Sequence, residues 1–294
     1  MATIEDLLIF GREQLEESGN EYAKYERKVL LEEVLGCNYM YMLMNGNEEV
    51  PKQKEMKYKG WIKQRCSHYP LQYILGYAHF MDYTFLVNEN VLIPRSDTEV
   101  LVEAADELLG KWETADAGME ALESRNEKKK VRVLDLCCGS GCIGISLKLY
   151  HEEIDLVLSD YSKKALEVTR KNLEKYNVTA EVLQGDLFES FTGRAKLIVS
   201  NPPYIESGEI KALMPEVREY EPVSALDGGT DGLDFYRRII EQAFQYLEEN
   251  GYLMFEIGYN QGEAVRNLME RNHFLDVQIK KDYAGLDRVV YGHL

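Results

Sequence analysis

Apolar residues over the first 75 positions recur three to four apart: Leu7, Leu8, Phe10 and Leu15, then Val29, Leu30, Leu31, Val34 and Leu35. That period predicts helices laid against a shared core. Gly19-Asn20, Gly36 and Asn45-Gly46-Asn47 supply the stops between them, because glycine and asparagine accept the left-handed backbone that ends a helix. Residues 1–75 are therefore expected to form a small helical domain. From Gly76 to Pro94 the pattern changes. In YAHFMDYTFLVNENVLIP, aromatic and β-branched residues alternate with polar ones around Asn88 to Asn90, which predicts a β-hairpin bridging two domains over residues 76–95.

The remainder, residues 96–294, reads as one larger domain. SDTEVLVEAADELLGKW opens with Ser96 and has Glu99 three residues on, the spacing of a capping box at a helix start. ETADAGMEALESRNEKKK, residues 113–130, lacks strand signals and ends in a charge run, so a surface connection is expected there. From Val131 short apolar runs alternate with helical segments. These are VRVLDL, a helix from about Gly141 to Tyr150, IDLVLSD, SKKALEVTRKNLEKY, AEVLQ, KLIVSNPPY, GLDFYRRIIEQAFQYLEE, GYLMFEIG and QGEAVRNLMERN. Such alternation builds a parallel sheet through right-handed crossovers. FLDVQIKKDYAGLDRVVYG instead gives two strands joined by a short turn. The expected class is α/β, a doubly wound sheet with an antiparallel hairpin at its edge.

Charge divides along the same boundary. Of the net −17, residues 1–75 hold ten basic and twelve acidic residues, a net of −2, which leaves −15 on residues 76–294. A surface of that sign argues against affinity gained by neutralising phosphates, so direct nucleic-acid binding is not expected. Within the helical part, PKQKEMKYKGWIKQRC sets Lys52, Lys54, Lys57, Lys59, Lys63 and Arg65 against Glu55 alone. Most such runs are solvated helix faces; docking of a partner is the competing reading. No apolar run approaches membrane-spanning length. The start of the chain reads as an acidic amphipathic helix without a basic-then-apolar leader, so the five cysteines are expected to be reduced, in the cytoplasm. No cysteine or histidine spacing matches a metal site, and no metal is expected.

The candidate chemistry lies at the strand ends. The first run closes in Asp135-Leu136-Cys137-Cys138-Gly139-Ser140-Gly141, small residues that let a ligand approach the backbone at a helix N-terminus. Its spacing fits neither a dinucleotide fingerprint nor a phosphate loop. Asp160 ends the second run, nineteen residues beyond Gly141, where this topology places a carboxylate for ribose hydroxyls. Gly185-Asp186 closes the third. Each acid alone is most simply a turn residue; with Asp135 they favour an adenosine-type site at one sheet edge. The fourth run ends in Ser200-Asn201-Pro202-Pro203-Tyr204. Asparagine offers an acceptor and a donor, and the prolines leave carbonyls as the loop's hydrogen-bonding atoms. A planar NH₂ group could donate to the Asn201 side-chain oxygen and the Pro202 carbonyl, with the Tyr204 ring against its face.

VLDLCCGSGCIGISL, LSDYSKKALEVTRKN, QGDLF and IVSNPPYI, in that order, resemble an S-adenosylmethionine-dependent methyltransferase. PLQYILG (70–76), VLIPRSDTE (91–99), YEPVSALDGGTDGLDFYRRI (220–239), FEIGYNQG (255–262) and GLDRVV (285–290) narrow the resemblance. They are similar to the PrmC/HemK family of release factor glutamine methyltransferases. The resemblance implies a Rossmann-like seven-stranded methyltransferase sheet with an antiparallel last strand, behind a small N-terminal helical domain. It implies that Asp135 and the loop Cys137, Cys138, Gly139, Ser140 and Gly141 line the methionine and ribose of S-adenosylmethionine. Asp160 would take the ribose hydroxyls, Asp186 with Leu187 would flank adenine, and Asn201 would also border the cofactor. Asn201, Pro202, Pro203 and Tyr204 would hold the substrate glutamine, with Asn201, Pro202 and Tyr204 as the catalytic group. The implied product is N5-methylglutamine in the Gly-Gly-Gln motif of peptide chain release factors, the protein partners.

One departure is Cys137-Cys138, where the family usually has Gly-Thr or similar. A Cβ there requires the first turn to avoid a positive φ or to accept strain, and inert buried thiols are expected. Two other functions stay open at this point. A methyltransferase acting on an exocyclic amine of a nucleic-acid base would also use an Asn-Pro-Pro-Tyr loop, and a cofactor-binding module could keep the sheet without transfer.

Overall fold

A computed structural model describes residues 2–119 and 130–294, with the side chains of 115–119 left aside. The chain forms two compact units, Met1–Tyr77 with Met214–Tyr220, and Ala78–Leu213 with Glu221–Leu294.

The first unit is helical. It contains α1 (Ile4–Glu17), α2 (Ala23–Leu35), α3 (Tyr39–Met44), α4 (Lys52–Cys66) and α5 (Leu71–Leu75). Thr3 and Asp6 form a reciprocal capping box that starts α1 by satisfying amides the helix itself leaves unpaired. Leu7, Leu15, Leu30, Leu31, Tyr58 and Ile62 form its core. The basic stretch on α4 is largely engaged. Lys52 and Lys59 reach Glu55 at 3.3 and 2.8 Å, and Lys57 lies 4.4 Å over the Trp61 ring. Arg65 is buried, bonded to Glu26 at 2.7 Å and to Glu216 at 2.9 Å.

The second unit begins with the hairpin β1 (Tyr77–Phe80) and β2 (Tyr83–Leu86). Its turn is at Met81-Asp82 rather than near Asn88 to Asn90, because Met81 takes a left-handed φ of 52°. α6 (Glu99–Met119) follows a 3₁₀ turn, Ser96–Thr98. The expected capping box is not seen among the described residues: the turn has Arg95 as its N-cap, with no side-chain cap, and Glu99 accepts the Met81 N–H at 2.7 Å. The surface connection expected over 113–130 is helical as far as Met119, and residues 120–129 lie outside the described residues.

The sheet elements follow as β3 (Arg132–Leu136), α7 (Cys142–Tyr150), β4 (Asp155–Asp160), α8 (Lys163–Tyr176), β5 (Glu181–Gln184) and β6 (Ala195–Ser200). α9 (Pro215–Tyr220) belongs to the first unit. The second unit resumes with α10 (Asp234–Tyr246), β7 (Leu247–Glu256), α11 (Gly262–Arg271), β8 (Leu275–Lys281) and β9 (Asp287–His293). These strands form one seven-stranded sheet in the order β5-β4-β3-β6-β7-β9-β8. β9 is antiparallel to both neighbours. The final hairpin therefore occupies the edge as expected, with the reversed last strand inserted inside it and β8 outermost.

Alternation along the strands divides the core into two layers. Val133, Leu156, Leu158, Leu197 and Val199 face α6, α7 and α8, while Leu134, Leu136, Val157, Ile198 and Phe255 face α10 and α11. The strand order reverses between β3 and β6. In open α/β sheets the crevice beyond the carboxyl ends at such a reversal is where ligands bind.

Candidate active site

A cavity of about 770 Å³ opens at that reversal, within the size range of small-molecule sites. Of the residues singled out from sequence, Cys137, Cys138, Gly139, Ser140, Asp160, Asp186, Asn201 and Pro203 line it. Asp135, Gly141, Leu187, Pro202 and Tyr204 are absent from the wall, each for a local reason.

Asp135 is fully buried and points at α7, where its Oδ2 accepts the Gly144 N–H at 2.9 Å. It braces the loop from behind. Burial pushes its carboxyl up to about 8, against the Gly144 hydrogen bond, with Asp160 adding to the rise. Gly141 has φ 81° and caps α7; a Cβ there would meet Ile145 at 2.9 Å and Thr169 at 3.0 Å. Leu187 turns its side chain into the core beside Phe188 and Phe191. Pro202 is buried, and the Tyr204 hydroxyl donates to Glu256 Oε1 at 3.3 Å.

The cysteine loop takes the strained alternative: Cys137 has φ 59°, in the left-handed region that disfavours a Cβ. Ser200, at the end of β6, holds this turn by donating to the Leu136 carbonyl at 2.8 Å. Burial raises both thiols well above the ordinary range, with Asp160 adding to it, so neither supplies a reactive thiolate.

Asp160 is the best-oriented acid on the wall. Its Oδ2 accepts the Gly139 N–H at 2.9 Å and its Oδ1 the Ser162 N–H at 2.8 Å. Burial raises its carboxyl and these two amides oppose the rise. Its ion-pairing differs from that of Asp186, which Arg238 holds at 2.6 Å: among the described residues Asp160 has no basic side-chain partner. A carboxylate has about four acceptor sites, so two remain for hydroxyl donors. A fixed, unneutralised acid beside an open glycine loop fits the ribose of S-adenosylmethionine.

The Asn201 to Tyr204 loop is pinned by its backbone. Ile205 N–H donates to the Leu226 carbonyl at 2.9 Å, Gly228 N–H to the Ile205 carbonyl at 2.8 Å, and Gln261 Nε2 to the Tyr204 carbonyl at 2.9 Å. A Cβ on Gly228 would lie 2.6 Å from the Tyr204 Cα, so only glycine allows this approach. Asn201 Nδ2 donates to Thr98 Oγ1 at 3.3 Å.

Sequence reasoning missed Thr98, Glu256 and the Arg95–Glu221 pair. Glu221, 5 % exposed, also accepts the Ile93 N–H at 3.2 Å. It thereby clasps two wall segments 126 positions apart in the chain. The strings VLIPRSDTE, YEPVSALDGG and FEIG contain these residues, but no local period pairs them.

Comparison with known proteins bears on the chain as a whole. The family model described as "PrmC N-terminal domain" matches residues 6–76, and "Methyltransferase small domain" matches residues 111–217. A release factor glutamine methyltransferase from Geobacter sulfurreducens is 39% identical over 99% of this chain and 97% of its own length. Another from Clostridium acetobutylicum is 36% identical over 98% of this chain and 97% of its own. Among solved structures, the hMettl16 catalytic domain in complex with MAT2A 3'UTR hairpin 6 has a TM-score of 0.55 at 12% identity. It covers 84% of this chain and 85% of that one, a likeness of fold alone. With a helical unit, a seven-stranded sheet and near full-length identity of this order, the chain belongs to the release factor glutamine methyltransferase family.

Proposed function

We propose that this protein transfers the methyl group of S-adenosylmethionine to the side-chain amide nitrogen, N5, of the glutamine in the Gly-Gly-Gln motif of peptide chain release factors, in the cytoplasm. The observation that carries the reading is the Asn201 amide on the wall of the same cavity as the unneutralised Asp160. S-adenosylmethionine, when bound, supplies a sulfonium primed to lose its methyl group. Asp160 takes the ribose hydroxyls, and Cys137 to Ser140 line the methionine and ribose. Asp186 stands towards adenine. Asn201 Oδ1 and the Pro202 carbonyl accept the two amide protons of the glutamine, and Pro203 walls the acceptor. The deciding experiment is mass spectrometry of a release-factor tryptic peptide after incubation with labelled cofactor. A gain of one methyl on the glutamine, absent when that glutamine is changed, is expected; labelling of DNA or RNA instead would overturn the reading.

Asp160→Asn should weaken S-adenosylmethionine binding by about tenfold to a hundredfold, the loss of hydrogen bonds to a charged acceptor. Calorimetric titration checks this, and an unchanged Kd would remove Asp160 from the cofactor site.

We further propose that the lysines of α4 steer an acidic face of the release factor. Arg65 is excluded from that role by its burial. Reversing Lys57, Lys59 and Lys63 to Glu should raise KM for the release factor and change its salt dependence, with kcat little altered. Equal KM values across salt for wild type and variant would sink the idea. No described helix is long and apolar enough to cross a membrane.

A further inference from the structure

Thr169 and Asn172 lie three positions apart on α8, and so on one face, and each is 0 % exposed. A buried hydroxyl or amide is costly unless its polar atoms are bonded. Here both are spent on the turn between β3 and α7. Thr169 Oγ1 donates to the Gly139 carbonyl at 2.7 Å, and Asn172 Nδ2 donates to the Ser140 carbonyl at 2.9 Å. A threonine inside a helix commonly turns its hydrogen back to the carbonyl four residues earlier. That carbonyl, of Ala165, is the more distant acceptor at 3.2 Å, and a hydroxyl has one hydrogen to give.

The direction of the Asn172 amide is set by a third element. Leu86, which ends β2, donates its N–H to Asn172 Oδ1 at 2.7 Å, and its carbonyl accepts Nδ2 at 3.1 Å. A backbone N–H only donates, so Oδ1 is fixed on Leu86 and the two Nδ2 hydrogens go to the Leu86 and Ser140 carbonyls.

Two consecutive carbonyls of the turn therefore point at α8. The peptides are trans, which sets each N–H opposite its carbonyl, so the Ser140 N–H is directed away from α8. Gly139 and Ser140 both line the cavity. Turned the other way, the same oxygens would set negative partial charge against the methionine carboxylate of S-adenosylmethionine. The turn also has to be held. Cys137 takes a left-handed φ of 59°, a conformation that persists only where its surroundings impose it.

We propose that Thr169 and Asn172 are positioning residues for the cofactor, holding the turn in its binding shape by drawing the Gly139 and Ser140 carbonyls out of the cavity. This rests on the reading of Cys137 to Ser140 as the wall for the methionine and ribose.

With a carbonyl released the turn relaxes, and the cofactor must impose the shape again, a cost that enters Kd. Thr169→Val keeps the volume and the methyl group beside Gly141 and removes the hydroxyl. It should weaken S-adenosylmethionine binding roughly threefold to tenfold in calorimetric titration, the worth of one hydrogen bond. In turnover with a release factor the loss should sit in KM for S-adenosylmethionine, with kcat at saturating cofactor little altered. Thr169→Ser, which keeps the hydroxyl, should recover most of the affinity. Asn172→Asp keeps the acceptor for the Leu86 N–H, takes away both amide hydrogens and should weaken binding at least as much as T169V. If N172D does not fold, the Thr169 pair decides alone. Asp160→Asn is measured alongside. Wild-type Kd in T169V with weakened binding in D160N overturns this inference and spares the cofactor site; wild-type Kd in both overturns the two together. Equal losses in T169V and T169S would place the effect in packing and also overturn it.

Discussion

Replacing Asn201 by alanine is expected to lower kcat by roughly 10²- to 10³-fold, the range for removing one preorganised group aimed at developing charge. S-adenosylmethionine affinity should be nearly unchanged. The asymmetry follows from the chemistry. An amide nitrogen is a poor nucleophile because its lone pair is delocalised into the carbonyl, so the enzyme must align that lone pair with the methyl group. Acceptors on both N–H bonds fix the alignment. They also stabilise the positive charge that develops on nitrogen only as the methyl moves, and interactions stronger in the transition state appear in kcat. The proposed cofactor carboxylate comes from a different strand end, with Asp160 closing β4 while Asn201 follows β6. Steady-state kinetics with a release factor, paired with calorimetry, separates the two. Near-normal turnover in N201A would show that the glutamine amide is held elsewhere.

The same loop chemistry would suit an exocyclic amine of a nucleic-acid base. Such an enzyme has to extract the base and grip phosphates, whereas residues 76–294 carry −15. The charged wall groups tell the same way. Arg237 lies 3.0 Å from Asp234 and Arg238 2.6 Å from Asp186, so two of the basic residues at the cavity already face acids. Methyl incorporation into release factor, DNA and RNA compared in parallel discriminates between the substrates.

The sheet and its strand ends were legible because their signals are local. The alternation of apolar runs with helical segments encodes crossovers, and Asp160 and Asn201 end apolar runs where the topology opens a crevice. Direction of side chains was not legible. Asp135 and Asp186 look alike in sequence, yet one lies under a helix start and the other on the wall, because Asp135 sits within β3 and alternates towards α7 while Asp186 stands beyond the end of β5. Nor does the sequence tell that the Tyr204 hydroxyl reaches a buried acceptor at Glu256, 52 positions on. The Ser96 capping box is not seen for a related reason, since the hairpin amide of Met81 takes Glu99.

Arg65→Met is expected to destabilise the helical unit by about 3–5 kcal/mol, the cost of breaking a buried ion pair from one side. The side chains of Arg65 and Glu26 are each 7% exposed, and Glu26 Oε2 takes both Arg65 Nε at 2.7 Å and Asn20 Nδ2 at 2.6 Å. Removing the guanidinium leaves that carboxylate out of water with one neutral donor, and also strips Glu216 of its 2.9 Å partner. Two buried ions are costly to desolvate even when paired, and Arg65 Nη1 has no hydrogen-bond acceptor among the described residues. The double variant, Glu26→Met with Arg65→Met, should therefore recover much of the loss, because apolar side chains of similar volume replace both ions at once. Urea unfolding followed by Trp61 emission in a Trp112→Phe background reports on α4 alone, since those are the chain's two tryptophans. A single variant as stable as wild type would mean that Glu26 finds water or a new donor when Arg65 is gone. A double variant no better than the single would place the cost in lost packing and not in the orphaned charge.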